Sequence, residues 1–534
     1  MRQWYQSAVV YQIYLRSFYD TNGDGVGDLP GVLKKLDYLR GGPNSLGVDA
    51  IWLSPFYPSP MADFGYEVAD YCDVDPVFGT LDDFKRLLDG AHRRELKIII
   101  DFVLNHTSDQ HPWFKESRAS RDNPKRDWYV WRSPKADGSP PNNWQSAFGG
   151  SAWAYHKPTG QYYLHSFLAQ QPDLNWESPK VRAAMKQVVK FWCDLGVDGL
   201  RIDAASWLAK DPAFRDDPPN PHYRSQVDSP YRALRHTHSK RGPQLYTYLN
   251  EIADEVSKYT GRFMIIETYP HRWNNTEAYD QFYKQVNPQV SAPFNFEGVF
   301  APWLAHSFRA FTDRFQTSLQ DGYVPVYTFG NHDQSRLASR IGPEAARTAA
   351  MLLLTLPGLP VMYCGDELGL QNVPIAPGNV QDPLEKHLPG KGLGRDPQRS
   401  PLPWDDSRGA GFTSGKPWLP LTADYAERNV KTQLADPQSL LNLYRRLLKV
   451  RRDSHALKYG SYQSFDIGPD IFAYLRESQD QKLVVVLNFS DKPQIVQHRH
   501  LHGTVVLSTA VGKSDQQVEG EYQLEPHEGL IIEL

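Results

Sequence analysis

Eight short apolar runs of strand type recur along the chain, and stretches with helical spacing fill gaps between them. The runs are 9–15, 48–54, 97–103, 199–203, 263–267, 292–296, 326–332 and 359–364. Leu81, Phe84, Leu87, Leu88 and Ala91 mark one face of a helix between the second and third runs, and 183–195, 245–259 and 344–354 read as later helices. Runs this uniformly apolar suit strands covered on both faces, the condition of parallel strands joined by helical crossovers. Eight repeats predict an α/β fold closed into a (β/α)8 barrel rather than an open sheet.

The pattern breaks twice. Residues 104–173, after the third run, are rich in aromatic, Pro, Gly and Asn residues. That is too long for an unstructured connection in a compact domain, so it reads as a small domain inserted at the barrel mouth. A second loop, 368–430, follows the eighth run. From 456 to 534 apolar residues alternate in period two, which predicts an antiparallel C-terminal β-sandwich. The expected division is a barrel of 1–103 and 174–455, an inserted domain of 104–173 and a β domain of 456–534. His498, His500 and His502 fall on alternating positions there and read as a strand face rather than a metal site. His236 and His238 read as part of a solvent loop.

The net charge of −4 gives no electrostatic footprint for nucleic acid or an anionic membrane. No apolar run is long enough to span a membrane, and the first run begins too near Met1 to leave room for a signal peptide. Cys72, Cys193 and Cys364 fit neither a disulfide frame nor a zinc site. A cytoplasmic protein is expected.

Asp203, Glu267 and Asp333 each stand at the end of an apolar run, where an unpaired buried carboxylate is costly. One such acid could be a strand-end cap. Three at equivalent ends point to one shared mouth, where barrel enzymes do their chemistry. Arg201 lies two residues before Asp203, so on a strand both side chains share a face. A guanidinium there is expected to lower the Asp203 pKa and keep it ionised, as a nucleophile must be. Glu267 follows Met264-Ile265-Ile266, an apolar setting expected to raise its pKa, as a proton donor needs. Two carboxyls so separated meet the requirement for glycoside hydrolysis. A metal-dependent hydrolase would want a His-x-His pair at a strand end, and these runs carry none.

Asp20-Thr21-Asn22-Gly23-Asp24-Gly25-Val26-Gly27-Asp28 is a separate signal. Oxygen side chains at alternate positions, with glycines for tight curvature, match the first part of a calcium loop, although the distal Glu of an EF-hand is absent. Asp20, Asn22, Asp24 and Asp28 would give side-chain oxygens and Val26 its carbonyl to a structural calcium ion. A solvated Asp/Gly turn is the plain alternative.

Four segments now carry a resemblance. Asp101-Phe102-Val103-Leu104-Asn105-His106, Gly199-Leu200-Arg201-Ile202-Asp203-Ala204, Ile265-Ile266-Glu267-Thr268 and Phe329-Gly330-Asn331-His332-Asp333 resemble the signature regions of the α-amylase family of glycoside hydrolases. Gln171-Pro172-Asp173-Leu174-Asn175 is similar to a segment of its oligo-1,6-glucosidase and α-glucosidase branch, and Gly23-Asp24-Gly25-Val26-Gly27-Asp28-Leu29 is similar to that branch's calcium loop. The resemblance implies a retaining exo-α-glucosidase on small α-glucosides, with Asp203 as nucleophile, Glu267 as acid/base and Asp333 as transition-state stabiliser. It implies further that His106, Phe148, Gln171, Arg201 and His332 line the subsite of the cleaved glucose. Tyr66 would lie beneath that sugar, and Asp63 and Arg399 would pair to close the pocket behind it. Phe64 stands where the branch often has Asn, and Pro401-Leu402-Pro403-Trp404-Asp405 where it has Pro-Met-Gln-Trp-Asp. Ala204, after the nucleophile, tilts the linkage towards α-1,4. A transglucosylase would use the same acids. A non-catalytic sugar-binding relative would lack one of them, and none is missing.

Overall fold

The computed structural model of the protein describes residues 2–226, 228–269, 277–320 and 322–534, with the backbone alone at 277 and 278. Eight parallel strands close into a barrel in sequence order: Val10–Ile13, Ala50–Leu53, Lys97–Val103, Gly199–Asp203, Phe263–Ile266, Ser291–Asn295, Val326–Thr328 and Leu359–Tyr363. Every residue of these strands except Lys97 is buried. The barrel interior covers one face and the helices the other, which is why the runs are apolar without alternation. The seventh strand stops earlier than its run. Past Thr328 the chain turns, because the Asn331 side chain accepts from the amides of Asp333 and Gln334, both at 3.0 Å.

Register sets up the mouth of the barrel. Asp101 lies beside Arg201, and Val103 beside Asp203, across strands three and four. Ile202 lies beside Ile266 across strands four and five, and the Glu267 amide donates to the Ile202 carbonyl at 2.9 Å. Laterally paired residues of neighbouring strands point to the same face. The strand pairing alone therefore brings Asp101, Arg201, Asp203 and Glu267 together.

The chain leaves the barrel after strand three and returns where His106 bridges Asp173 and the Leu174 amide donates to Asn105 at 2.9 Å. Between these points lie helix Pro112–Ala119 and a three-stranded antiparallel sheet over a small core of Val130, Trp144, Ala152, Trp153 and Leu164. At the C-terminus, six antiparallel strands pair as one continuous sheet in the order Ser461–Phe465, Ile471–Glu477, Lys482–Asn488, Gly529–Glu533, Gln494–Ser508 and Gln517–Leu524. The expected C-terminal antiparallel β domain is built from one hydrogen-bonded sheet, its longest strand broken in register by two irregularities. Period-two alternation still divides its faces. Ala473, Val484, Val486, Leu530 and Ile532 fill a core of its own, while Phe472, Tyr474, Val485, Leu487 and Ile531 join the main core with the barrel.

His498 and His500 lie on the long strand, and Phe465 stacks on His498 at 4.5 Å. His236 corrects the solvent-loop expectation. It is buried, stacked on Tyr231 at 3.6 Å and 3.4 Å from Asp217. A charged partner from outside its own segment, invisible in local composition, draws it inward. Among the described residues no helix is long and apolar enough to cross a membrane.

Candidate active site

One buried guanidinium organises the barrel mouth. Arg201 donates to Asp101 at 2.8 Å and to Asp203 at 2.6 Å from one nitrogen, and forms an ion pair with Glu267 at 2.9 Å through the other. Asp101 also accepts from Trp52 at 3.2 Å and Tyr66 at 3.1 Å. The Ala204 amide, at φ 47°, donates to Glu267 at 2.8 Å, so the turn after strand four aims the residue after strand five.

Burial pushes the Asp203 carboxyl well above the ordinary range, and Arg201 opposes that push without cancelling it. This corrects the expected lowering: one cation shared by three acids does not offset full desolvation. Glu267 is likewise raised by burial against Arg201, and it has a hydrogen-bonding contact with Asp203. Two such carboxyls titrate as a pair. Burial lifts Asp101 to about 6 against the pull of Arg201. Asp333 is the opposite case. Burial works against its charge, yet Arg399 at 2.7 Å and Arg395 at 3.4 Å help hold it well below the usual range. His332, 3.4 Å from Asp333, and His106 are pushed down by burial to about 3 and about 4, so both are neutral at pH 7. His332 bonds to Tyr66 at 2.6 Å and to Gln12 at 2.7 Å.

Asp203, Glu267, Asp333, Tyr66 and His106 line a cavity of about 560 Å³ with Asp63, Phe148, Phe167, Gln171, Ala204, Trp207, Tyr269, Leu393 and Arg395. A larger cavity of about 810 Å³, lined by Arg126, Trp131, Lys210 and Phe214 among others, holds none of the three acids. The smaller cavity, with its convergent carboxyls, is the candidate site.

The profile of the α-amylase catalytic domain matches residues 12–460. The chain belongs to the α-amylase family of glycoside hydrolases. It is 39% identical over 532 residues to the oligo-1,6-glucosidase of Parageobacillus thermoglucosidasius, covering 92% of each chain. It is also 39% identical to a probable α-glucosidase of Rhizobium meliloti strain 1021, covering 92% of this chain and 90% of that one. The solved structure of the α-glucosyl transfer enzyme XgtA superposes over all of both chains with a TM-score of 0.92 at 39% identity.

Within this α-amylase-family barrel, Asp203, Glu267, Asp333, Asp63, Tyr66, His106, Phe148 and Gln171 all border one cavity. Arg201, His332 and Arg399 bond to its lining groups from behind. The expected Asp63–Arg399 pair is a correction. Asp63 is bound by Arg395 at 2.6 Å, and Arg399 instead holds Asp333. The two arginines are four residues apart in one loop, and only their tertiary placement separates their roles. Phe64 and Gly65 both have positive φ, 54° and 106°. Asn is cheap at the first of these and Phe is not. The Phe64 ring is held by packing on Trp418 at 5.2 Å and beneath Arg16 at 5.2 Å.

The sequence places Asp101 in a signature segment without giving it a role, and it does not single out Trp207, Tyr269, Phe167 or Arg395. The signal at Asp101 is an acid inside an apolar run on the strand next to Arg201, and the other four carry no comparable local signal. In the Asp20–Asp28 loop, Asp20 accepts from the amides of Asn22 at 2.9 Å, Gly23 at 2.8 Å and Gly25 at 2.9 Å. Asn22 accepts from Asp24 and Asp24 from Val26, both at 2.8 Å. Asp28 accepts from Thr21 at 2.9 Å and caps a helix through Gly31 at 2.6 Å. Both Asp20 oxygens and Asp28 Oδ2 each accept two hydrogen bonds, whereas Asn22 Oδ1, Asp24 Oδ1 and Asp28 Oδ1 each accept one and keep a second lone pair, as hard donors of the kind calcium takes. Among the described residues no cluster of three His, Cys, Asp or Glu side chains stands in place to hold a metal ion. A calcium here would therefore also draw on Asn22 and the Val26 carbonyl.

Proposed function

We propose that this chain is an exo-acting, retaining α-glucosidase that releases terminal glucose from short α-1,4-linked glucosides. The observation that carries the reading is the pair of carboxyls, Asp203 and Glu267, bound to one guanidinium beside a cavity braced by Asp63 and Arg395. Asp203 attacks C1 of the terminal glucose while Glu267 protonates the departing glycosidic oxygen, breaking the C1–O bond and leaving a β-glucosyl ester. Glu267, now a base, takes a proton from water, whose oxygen attacks C1 and frees Asp203. Asp333, kept charged by its arginines, stabilises the positive charge that develops on the ring. Neutral His106 lines the cavity as a partner for a sugar hydroxyl, and neutral His332 holds Tyr66 from behind it. Ala204 supports the α-1,4 choice: a β-branched side chain at its positive φ would be strained, and the methyl group leaves room beside the cleaved bond.

The test is product analysis by NMR with maltose, isomaltose, sucrose and trehalose offered separately. Glucose should appear first as the α-anomer, and fastest from maltose. Release of β-glucose would sink the retaining mechanism, and a preference for isomaltose would sink the linkage. The kcat/KM profile should be bell-shaped, with both limbs from the carboxyl pair and none from a histidine near its usual pKa. Glu267→Gln should lower kcat by about 10²–10⁴-fold and remove the basic limb. A basic limb that survives would move the acid elsewhere. Resemblance to the transfer enzyme XgtA supports a second reading, in which a sugar rather than water attacks the intermediate. Products longer than the substrate would establish it.

The Asp20–Asp28 loop holds calcium on this reading, as a structural ion tying the first barrel loop to the chain around Phe412 and Thr413. Chelation should lower Tm by several degrees with little change in rate at 25 °C, and an unchanged melting curve would remove the ion. The three cysteines are free, two of them buried, which fits a reducing compartment.

A further inference from the structure

Arg395 is gripped from outside the cavity as well as from within it. On the cavity side its guanidinium reaches Asp63 at 2.6 Å and Asp333 at 3.4 Å and lies 5.1 Å from the Phe148 ring. On the far side Asp382 accepts from Nη2 at 2.7 Å, from Nε at 3.2 Å to each oxygen, and from the Arg395 amide at 2.5 Å. Asp382 is fully buried and does not line the cavity. It is itself immobilised. It accepts from the Leu384 amide at 3.2 Å, and its own amide and that of Gln381 donate to Asp396 at 2.9 and 2.6 Å.

A guanidinium is a planar fork on a flexible stem, and the direction of its free edge depends on what holds the other edge. Asp63 and the longer contact to Asp333 hold only the cavity edge of the fork and leave the Arg395 stem and backbone unfixed. Asp382 binds its side chain and its backbone together, which removes that freedom. We propose that Asp382 is a positioning residue: it never meets the sugar, and it holds Arg395 in the orientation that closes the non-reducing end of the pocket. The proposal rests on the reading of this cavity as a terminal-glucose pocket.

The test uses the full chain and its best α-glucoside. Asp382→Asn keeps size and an acceptor oxygen while removing the charge. Its KM should rise about tenfold while kcat changes less than about threefold, the signature of lost binding rather than lost chemistry. In an Arg395→Ala background the same change should have no further effect on KM, because a residue acting only through Arg395 cannot act without it. An unchanged KM, or a loss that adds fully in that background, overturns the proposal. If Asp382→Asn does not fold, Asp382→Glu retains the charge and displaces it. Its KM should then rise about threefold, and an unchanged KM is again fatal. A wild-type chain inactive on every α-glucoside would overturn both this inference and the functional reading, whereas an active one with an indifferent Asp382 overturns this inference alone.

Discussion

Asp203→Asn is expected to lower kcat on any α-glucoside by at least about 10⁴-fold, because no other group can form the covalent intermediate. The fold should survive. Arg201 keeps Asp101 and Glu267 as partners, and a carboxyl that burial already disfavours is exchanged for an amide of the same shape. Steady-state rates and a thermal melt on one preparation check both halves. Mass spectrometry adds a third check, since wild type given a slow substrate should gain one hexosyl unit and the variant should not. Near-normal turnover by the variant would place the nucleophile elsewhere.

Arg201→Gln should be the most destabilising single change in the site, by about 3–5 kcal/mol, since it strips the cation from buried acids and leaves them unpaired. The loss has a pH signature. Without Arg201 the folded-state pKa values of Asp101, Asp203 and Glu267 rise further above their unfolded values of about 4. An acid raised in the folded state is fully accommodated below its unfolded pKa, and stability is lost as pH climbs towards its folded one. The deficit against wild type should therefore be smaller at about pH 5 than at about pH 8, read from urea melts at both. An equal deficit at both would show that Arg201 acts through packing rather than charge.

Much of the architecture was legible because it follows local rules. Strands covered on both faces must be apolar throughout, so eight uniform runs announced eight barrel strands. The acids at their ends stood out against that background, and period two placed Arg201 on the face of Asp203. Strand limits were less legible. The seventh run continues to His332 in composition, but the Asn331 side chain turns the backbone after Thr328. The C-terminal alternation located the strands without revealing that they pair as one sheet, because pairing partners are set by contacts distant in sequence.

By itself the sequence determined the barrel and Asp203, Glu267 and Asp333 as acids at the ends of its strand runs, since strand period and strand-end position are properties of short segments. Tertiary structure alone decided the rest. Arg395 rather than Arg399 meets Asp63 across 332 residues of chain. The Asp203 carboxyl is raised rather than lowered, because desolvation depends on every wall of the pocket and those walls come from loops far apart. Charge and burial act through space, and space is what a linear order of residues leaves open.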